Sequence, residues 1–94
     1  MPRGGASRYD PLGAHLAGQP PAVATVRLSF AEVEAILGAA LPRSAREGSF
    51  WGNAVGELRV PAHVRAWRRA GWRVAGFERE ARAVTFARMV APSG

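Results

Sequence analysis

Prolines and glycines cut this sequence into short segments, and no other feature restricts its fold as strongly. Eleven glycines and seven prolines are spread over 94 residues. Because proline lacks an amide donor and glycine commonly ends a helix, each helix and strand has to fit between them. No apolar run approaches the roughly 20 residues of a membrane-spanning helix. We expect one domain over residues 9–90, after a basic arm (1–8) and before a free end (91–94).

The first predicted elements are a helix and a strand. Asp10 precedes a proline, which is typical of an N-cap followed by the first helical position. The helix then covers residues 11–17 and ends at Gly18. Residues 23–28 alternate in polarity and are rich in β-branched side chains, which predicts a short strand.

A capping box predicts the start of the second helix. The Ser29 hydroxyl can accept a hydrogen bond from the amide of Glu32, while the Glu32 carboxylate reaches back to the amide of Ser29. Apolar residues then repeat at helical spacing as far as Ala40, and Pro42 ends the helix at the latest.

The second half of the sequence predicts one more helix and a β-hairpin. Residues 60–70 form the helix, with Pro61 in its first turn and Gly71 as its stop, and residues 72–77 and 83–89 form two strands. The order helix, strand, helix, helix, strand, strand is that of a winged helix-turn-helix. The predicted fold class is therefore α+β, a small winged helix-turn-helix-like domain, although many small α+β domains share this order.

The positive charge lies entirely in the second half of the chain. Thirteen arginines and no lysine stand against seven acidic residues, for a net charge of +6. Residues 1–42 contain three arginines and three acids, whereas residues 43–94 contain ten arginines and four acids. The codon usage of GC-rich genomes is one explanation for the absence of lysine, but it does not explain this surplus of basic over acidic residues.

The third predicted helix carries the densest basic stretch. Arg65 and Arg69 lie one turn apart, with Ala62 and Ala66 between them and Arg68 on the flank. Small residues between guanidinium groups let a helix approach a phosphate backbone closely, and the planar guanidinium fits phosphate and guanine edges. This pattern predicts a nucleic-acid-binding face, and a merely solvated face is the alternative.

Other candidate contacts lie outside this helix. Arg43 and Arg46 precede it, and Arg79 and Arg82 lie at the predicted hairpin tip, where a wing would contact the backbone. The neighbouring carboxylates, Glu78 and Glu80, would repel that backbone.

A glycine-rich segment supplies two further candidates. Trp51 could stack on a base, and Asn53 could read an adenine edge or simply cap the loop backbone. Trp67 and Trp72 lie on inward-facing positions and are predicted to belong to the core. His63 is interpreted as a partly exposed helix residue, with contact to a phosphate as the alternative.

Catalysis and metal binding are not expected. The chain has no cysteine, and its two histidines, His15 and His63, are too far apart in sequence for a helical ligand pair. The carboxylates form no recognisable dyad, and no serine lies in a nucleophile motif. We therefore predict neither an enzyme nor a cofactor-binding protein.

Several sequence blocks together resemble a family. They are Tyr-Asp-Pro-Leu (9–12), Leu-Ser-Phe-Ala-Glu-Val-Glu-Ala-Ile-Leu (28–37), Leu-Pro-Arg-Ser-Ala (41–45), Trp-Gly-Asn (51–53) and Ala-Trp-Arg-Arg-Ala-Gly-Trp-Arg-Val (66–74). The series resembles a small bacterial and phage domain of unknown function. Ser29 replaces the family's usual threonine and preserves the cap, and Gly52 stands where a bulky residue can occur. The resemblance implies a stand-alone, nucleic-acid-binding domain with no catalytic residues.

The sequence thus predicts a cytoplasmic protein that binds nucleic acid, with double-stranded DNA as the expected target. The alternative is a protein-interaction module, antitoxin-like or a phage-encoded inhibitor, that engages an acidic partner through the same arginine face. The oligomeric state, a homodimer included, stays open.

Overall fold

Three helices and a three-stranded antiparallel sheet form the structure, a computed structural model that describes residues 7–52 and 60–89. The elements are α1 (Asp10–Ala17), β1 (Thr25–Ser29), α2 (Phe30–Leu37), α3 (Ala62–Arg69), β2 (Trp72–Glu78) and β3 (Ala83–Arg88). Two short 3-10 helices, Arg43–Glu47 and Ser49–Trp51, lie between α2 and α3. The predicted α+β class and element order are confirmed, and the arrangement is compatible with a small winged-helix-like domain.

The last strand lies in the middle of the sheet. β3 pairs with β1 on one side and with β2 on the other, both antiparallel. At the end of β1, Ser29 lies opposite Ala83, and the next amide, that of Phe30, donates to the carbonyl oxygen of Arg82 at 2.8 Å. This pairing places the tip of the β2–β3 hairpin beside the start of α2.

The capping box forms as predicted, but α2 is shorter than predicted. The Ser29 hydroxyl accepts from the Glu32 amide at 3.0 Å, and the Ser29 amide donates to the Glu32 carboxylate at 2.8 Å. The helix ends at Leu37 and not near Ala40, because Gly38 adopts the left-handed conformation with φ 72°. The Gly38 amide donates to the carbonyl oxygen of Glu34 at 2.8 Å, which closes the helix.

The core is built around aromatic side chains. Trp67, Trp72 and Phe86 are fully buried, as predicted for the two tryptophans. The Trp67 ring stacks on Trp51 with centroids 5.8 Å apart, and Trp51 stacks on Phe30 at the same distance. This aromatic series joins α3 to the start of α2 through the second 3-10 helix.

Candidate nucleic-acid interface

The outward face of α3 consists largely of arginine. Its exposed side chains are Ala62, Arg65, Arg68 and Arg69. We call the three arginines the α3 stripe. Arg65 donates to the carbonyl oxygen of Val60 at 3.2 Å, which holds its side chain along the start of the helix. The helix contains no acidic residue, so no carboxylate of α3 itself lies among these arginines.

One side of α3 differs from the prediction. Ala66 was expected beside the arginines on the open face, but it is buried against α1. A Cβ atom at Gly13 would lie 2.7 Å from the carbonyl oxygen of Ala66, so the two helix backbones are in direct contact. Ala66 therefore admits a neighbouring helix, and the prediction that it admits a phosphate backbone is wrong, whereas Ala62 is exposed.

The α3 stripe has one acidic neighbour. Arg65 and Arg69 line a narrow groove between α1 and α3 together with Asp10. The Asp10 carboxylate accepts from the amide of Ser7 at 2.9 Å, so it serves the turn before α1. Its negative charge lowers the positive potential along this edge of the stripe, and Arg68 lies outside the groove.

Four of the predicted arginines meet around one opening. Arg43 and Arg46 from the first 3-10 helix face Arg79 and Arg82 from the hairpin tip. Together with Phe30 and Glu47 they line a cleft of about 350 Å³, which we call the arginine cleft. The meeting depends on the β1–β3 pairing, because that pairing brings the hairpin tip to the start of α2.

The four guanidinium groups of the cleft are not engaged elsewhere. Other arginines are held by the protein: Arg27 binds Glu78, and Arg88 donates to the carbonyl oxygens of Val23 and Pro20. Within residues 7–52 and 60–89, the cleft arginines have no hydrogen bond or ion pair through their side chains. They can therefore bind an anion without breaking an existing contact.

A second, smaller cavity opens beside the cleft. It has a volume of about 230 Å³ and shares Phe30, Arg46 and Arg82 with the cleft, and we call it the side cavity. Its remaining lining residues are Ser29, Ala31, Glu34, Leu41, Pro42, Ala45 and Ala81. The two cavities thus adjoin along these three residues: the cleft is lined mainly by arginine, and the side cavity is lined by a mixture of apolar and polar residues.

The two carboxylates at the hairpin tip should repel a bound anion less strongly than the sequence predicts, because one of them is paired with an arginine. Glu78 accepts two hydrogen bonds from Arg27, at 2.8 and 3.1 Å, across the outer face of the sheet. The hydrogen bonds from Arg27 hold the pKa of Glu78 below its ordinary value. Its charge is compensated locally, and within the described residues Glu80 is the carboxylate at the tip that has no ion-pair partner.

Trp51 does not offer its ring to a base. The side chain is 3% exposed and lies between Phe30 and Trp67 in the core, which contradicts the predicted nucleic-acid contact. Its indole N–H donates to the carbonyl oxygen of Ala45 at 2.8 Å. Trp51 thereby fixes the 3-10 helix that carries two of the cleft arginines. Asn53, the other candidate from this segment, lies outside the described residues.

One known protein family matches almost the whole of this chain. The profile of the family described as Domain of unknown function (DUF7662) matches residues 9–90, and this span includes every helix and strand above. The chain belongs to this family. Searches of curated proteins and of solved structures found no match.

Two structural findings complete the description of this DUF7662 domain. In the described part of the chain, no helix is long and apolar enough to cross a membrane. Among the same residues, no group of three histidine, aspartate or glutamate side chains is placed to hold a metal ion.

Arg82 has the least favourable backbone conformation in the arginine cleft. Its φ is 53°, and it is the one described non-glycine residue of the DUF7662 domain with a positive φ. The left-handed region costs an L-residue roughly 1–2 kcal/mol, a cost that glycine does not carry. The local hydrogen bonds of the turn hold the conformation: the Arg82 amide donates to the Arg79 carbonyl oxygen at 3.2 Å.

We expect Arg82→Gly to stabilise the fold. Relief of the left-handed strain outweighs the extra chain entropy of glycine, for a net gain of about 0.5–1 kcal/mol in the free energy of unfolding. Urea denaturation measures this value. Arg79→Gly is the matched control, because Arg79 has no positive φ to relieve and should lose stability. Equal shifts of the same sign in both variants would contradict the assignment.

His63 is part of the aromatic packing. Its ring stacks on Phe50 with centroids 3.8 Å apart and meets the edges of Tyr9 and Trp67, each at 5.5 Å. The Nε2 atom lies 2.8 Å from the carbonyl oxygen of Phe50, to which the neutral Nε2–H tautomer can donate. Burial lowers the pKa of His63. The structure therefore gives His63 a packing role.

The lowered pKa predicts a stability loss in mild acid. The unfolded chain, in which histidine has its ordinary pKa of about 6.5, binds the proton more readily than the folded chain. The free energy of unfolding should hence be constant above about pH 7.5 and fall as the pH decreases through about 6.5. Urea titrations between pH 8 and 5 test this, and His63→Gln should flatten the dependence. A slope that survives in that variant would refute the assignment.

Proposed function

We propose that this DUF7662 domain binds nucleic acid, with double-stranded DNA as its target. The observation that carries the proposal is the arginine cleft. Two segments more than thirty residues apart in sequence bring four guanidinium groups to one opening, and within the described residues none of the four has an anionic partner. Guanidinium groups bind phosphate oxygens through paired hydrogen bonds, which suits this arrangement to a phosphate backbone.

The α3 stripe is the second part of the proposed interface. α3 ends at Arg69, just before β2, and Arg79 follows the end of β2. A strand of seven residues spans about 23 Å, so the stripe and the cleft lie toward opposite ends of the sheet. Duplex DNA rises about 3.4 Å per base pair, and a duplex touching both surfaces would be contacted over about seven base pairs.

In this proposal the fold binds DNA as a winged helix does, but the hairpin contributes more to binding than the third helix. The hairpin, as the wing, supplies half of the arginine cleft and makes the stronger backbone contact. α3 contributes Arg65, Arg68 and Arg69 but cannot enter a groove by its Ala66 side, which α1 covers. Backbone contacts should therefore dominate over base reading, because phosphate contacts position a protein without carrying sequence information.

The salt dependence of DNA binding tests the proposal. With seven arginines on phosphates, the logarithm of the association constant should fall against the logarithm of salt concentration with a slope of about −6. Fluorescence anisotropy with a labelled 20-base-pair random duplex between 50 and 200 mM salt measures it. Polyglutamate of similar length is the control ligand, because it carries negative charge without phosphate groups and stands for an acidic protein partner. No duplex binding at 50 mM salt, together with tight polyglutamate binding, would contradict the proposal and favour an acidic protein partner.

A further inference from the structure

We propose that the arginine cleft and the side cavity together bind one nucleotide that carries a terminal phosphate group. The phosphate lies among the arginines of the cleft, and the base enters the side cavity. This inference rests on the proposed function, since it assigns a more specific ligand to the same basic site. It adds one requirement: the nucleotide that occupies the cleft is unpaired, as at the end of a strand or as a free nucleotide.

The charge of the cleft exceeds what a single phosphodiester needs. Four arginines and one glutamate, Glu47, give the lining a formal charge of +3. A phosphodiester carries one negative charge, whereas a terminal phosphate carries about −1.5 to −2 at pH 7. Two phosphate groups, one of them terminal, thus match the lining closely, as in a nucleoside diphosphate or in the 5′-phosphate and first phosphodiester of a strand.

The shape of the site also fits a compact ligand. The cleft and the side cavity measure about 350 and 230 Å³, and they share the walls formed by Phe30, Arg46 and Arg82. Sites for small molecules are typically concave and hold about 300–1,000 Å³. A duplex backbone is convex and would leave the side cavity unfilled, so a ligand that fills both cavities is distinguished from a duplex by its compact shape.

The side cavity has the chemistry that a base requires. Leu41 and Pro42, both partly exposed, supply apolar walls for the ring faces. Glu34 supplies a hydrogen-bond acceptor: its Oε2 atom accepts from the Leu41 amide at 2.8 Å, and Oε1 has no partner within the described residues. An exocyclic amino group, as in adenine or cytosine, can donate to such a carboxylate oxygen.

The strain at Arg82 points to the same site. Arg82 lines both cavities although its φ of 53° favours glycine. Non-glycine residues in the left-handed region concentrate at ligand-binding sites, where the side chain is needed despite its backbone cost. Arg82 lines both the cleft and the side cavity, so in this proposal its guanidinium bridges the phosphate and the base.

Isothermal titration calorimetry at 50 mM salt tests the inference with two ligand pairs. The first pair is ADP and pyrophosphate, which differ in the nucleoside. The second pair is a 12-nucleotide single strand with a 5′-phosphate and the same strand with a 5′-hydroxyl. We expect at least a tenfold preference for ADP in the first pair or for the phosphorylated strand in the second. Arg82→Gly and Arg46→Gln should each remove that preference, whereas Arg73→Gln, an exposed arginine on β2, should keep it.

Each outcome decides between the sources of the ligand or against the inference. Preference for ADP supports a free nucleotide, and preference for the phosphorylated strand supports a strand end. Equal binding within both pairs overturns the inference. A blunt duplex with 5′-hydroxyl ends separates this failure from that of the proposed function: salt-dependent duplex binding without either preference overturns the nucleotide site alone. Absence of duplex binding overturns DNA as the target, whatever the two pairs show.

Discussion

Replacement of Gly13 by leucine should cost this domain about 3 kcal/mol of its free energy of unfolding. A Cβ atom at Gly13 would already lie 2.7 Å from the carbonyl oxygen of Ala66, closer than real Cβ atoms approach an oxygen. The obstacle is helix backbone, so it cannot be relieved by a change of rotamer. Overpacking in a rigid setting typically costs 1–3 kcal/mol, and a leucine adds three more carbon atoms to the clash. Urea denaturation followed by circular dichroism measures the loss.

Gly18→Leu is the matched control for this prediction. A Cβ atom at Gly18 would meet the carbonyl oxygen of Ala14 at 3.4 Å, an ordinary contact, and Gly18 is exposed with φ −82°. Its stability should change by about 0.5 kcal/mol or less, as for most surface substitutions. Equal losses at Gly13 and Gly18 would show that α1 does not pack on α3 through its backbone.

The double variant Arg46→Glu with Arg82→Glu should lower duplex DNA affinity about 100-fold or more at 100 mM salt. Each lost phosphate contact removes roughly an eightfold factor at this salt concentration through counterion release, and the introduced carboxylates add repulsion. The fold should persist, because both side chains are exposed and make no hydrogen bond within the described residues. Fluorescence anisotropy with a random 20-base-pair duplex measures the affinity.

Arg73→Glu is the control for the double variant, because it changes the charge at one site by the same amount as each replacement in the cleft. Arg73 is exposed on β2 and lines neither the arginine cleft nor the groove beside α3. Its substitution should weaken binding by less than about tenfold, through the change in overall charge alone. If two such reversals outside the cleft weaken binding as much as the cleft variant, the cleft has no special part in binding.

Local signals in the sequence were sufficient for the elements and for much of the core. The Ser29–Glu32 capping box predicts the start of α2 because its hydrogen bonds join residues three positions apart. Trp67 and Trp72 were correctly assigned to the core, because helix and strand periodicity determine which positions face inward. Boundaries were less accurate, since Gly38 closes α2 earlier than the apolar repeat suggested.

The candidate site could be predicted only in part, because it depends on contacts between distant residues. The sequence predicts each of the four cleft arginines as a candidate contact, but their meeting follows from the β1–β3 pairing, which no local pattern reveals. Ala66 illustrates the opposite error. A small residue between arginines is equally suited to a phosphate or to a neighbouring helix, and only the position of Gly13 decides for the helix.

Two further features had no usable sequence signal. Trp51 lies in a glycine-rich segment that predicts exposure, yet its indole donates to the Ala45 carbonyl oxygen from within the core. Arg82 has a left-handed backbone conformation. Arginine at this position does not indicate a positive φ, whereas a glycine would have done so. Both features concern the placement of the cleft arginines.

The difference between two salt slopes tests most directly whether the arginine cleft binds phosphates. The variant Arg43→Gln, Arg46→Gln, Arg79→Gln and Arg82→Gln removes all four charges of the cleft and leaves the α3 stripe intact. Duplex binding of the wild-type domain and of this variant would be measured between 50 and 200 mM salt. If the four arginines neutralise phosphates, the two slopes should differ by about 3 to 4, near 0.9 per lost contact. Parallel lines would contradict the account.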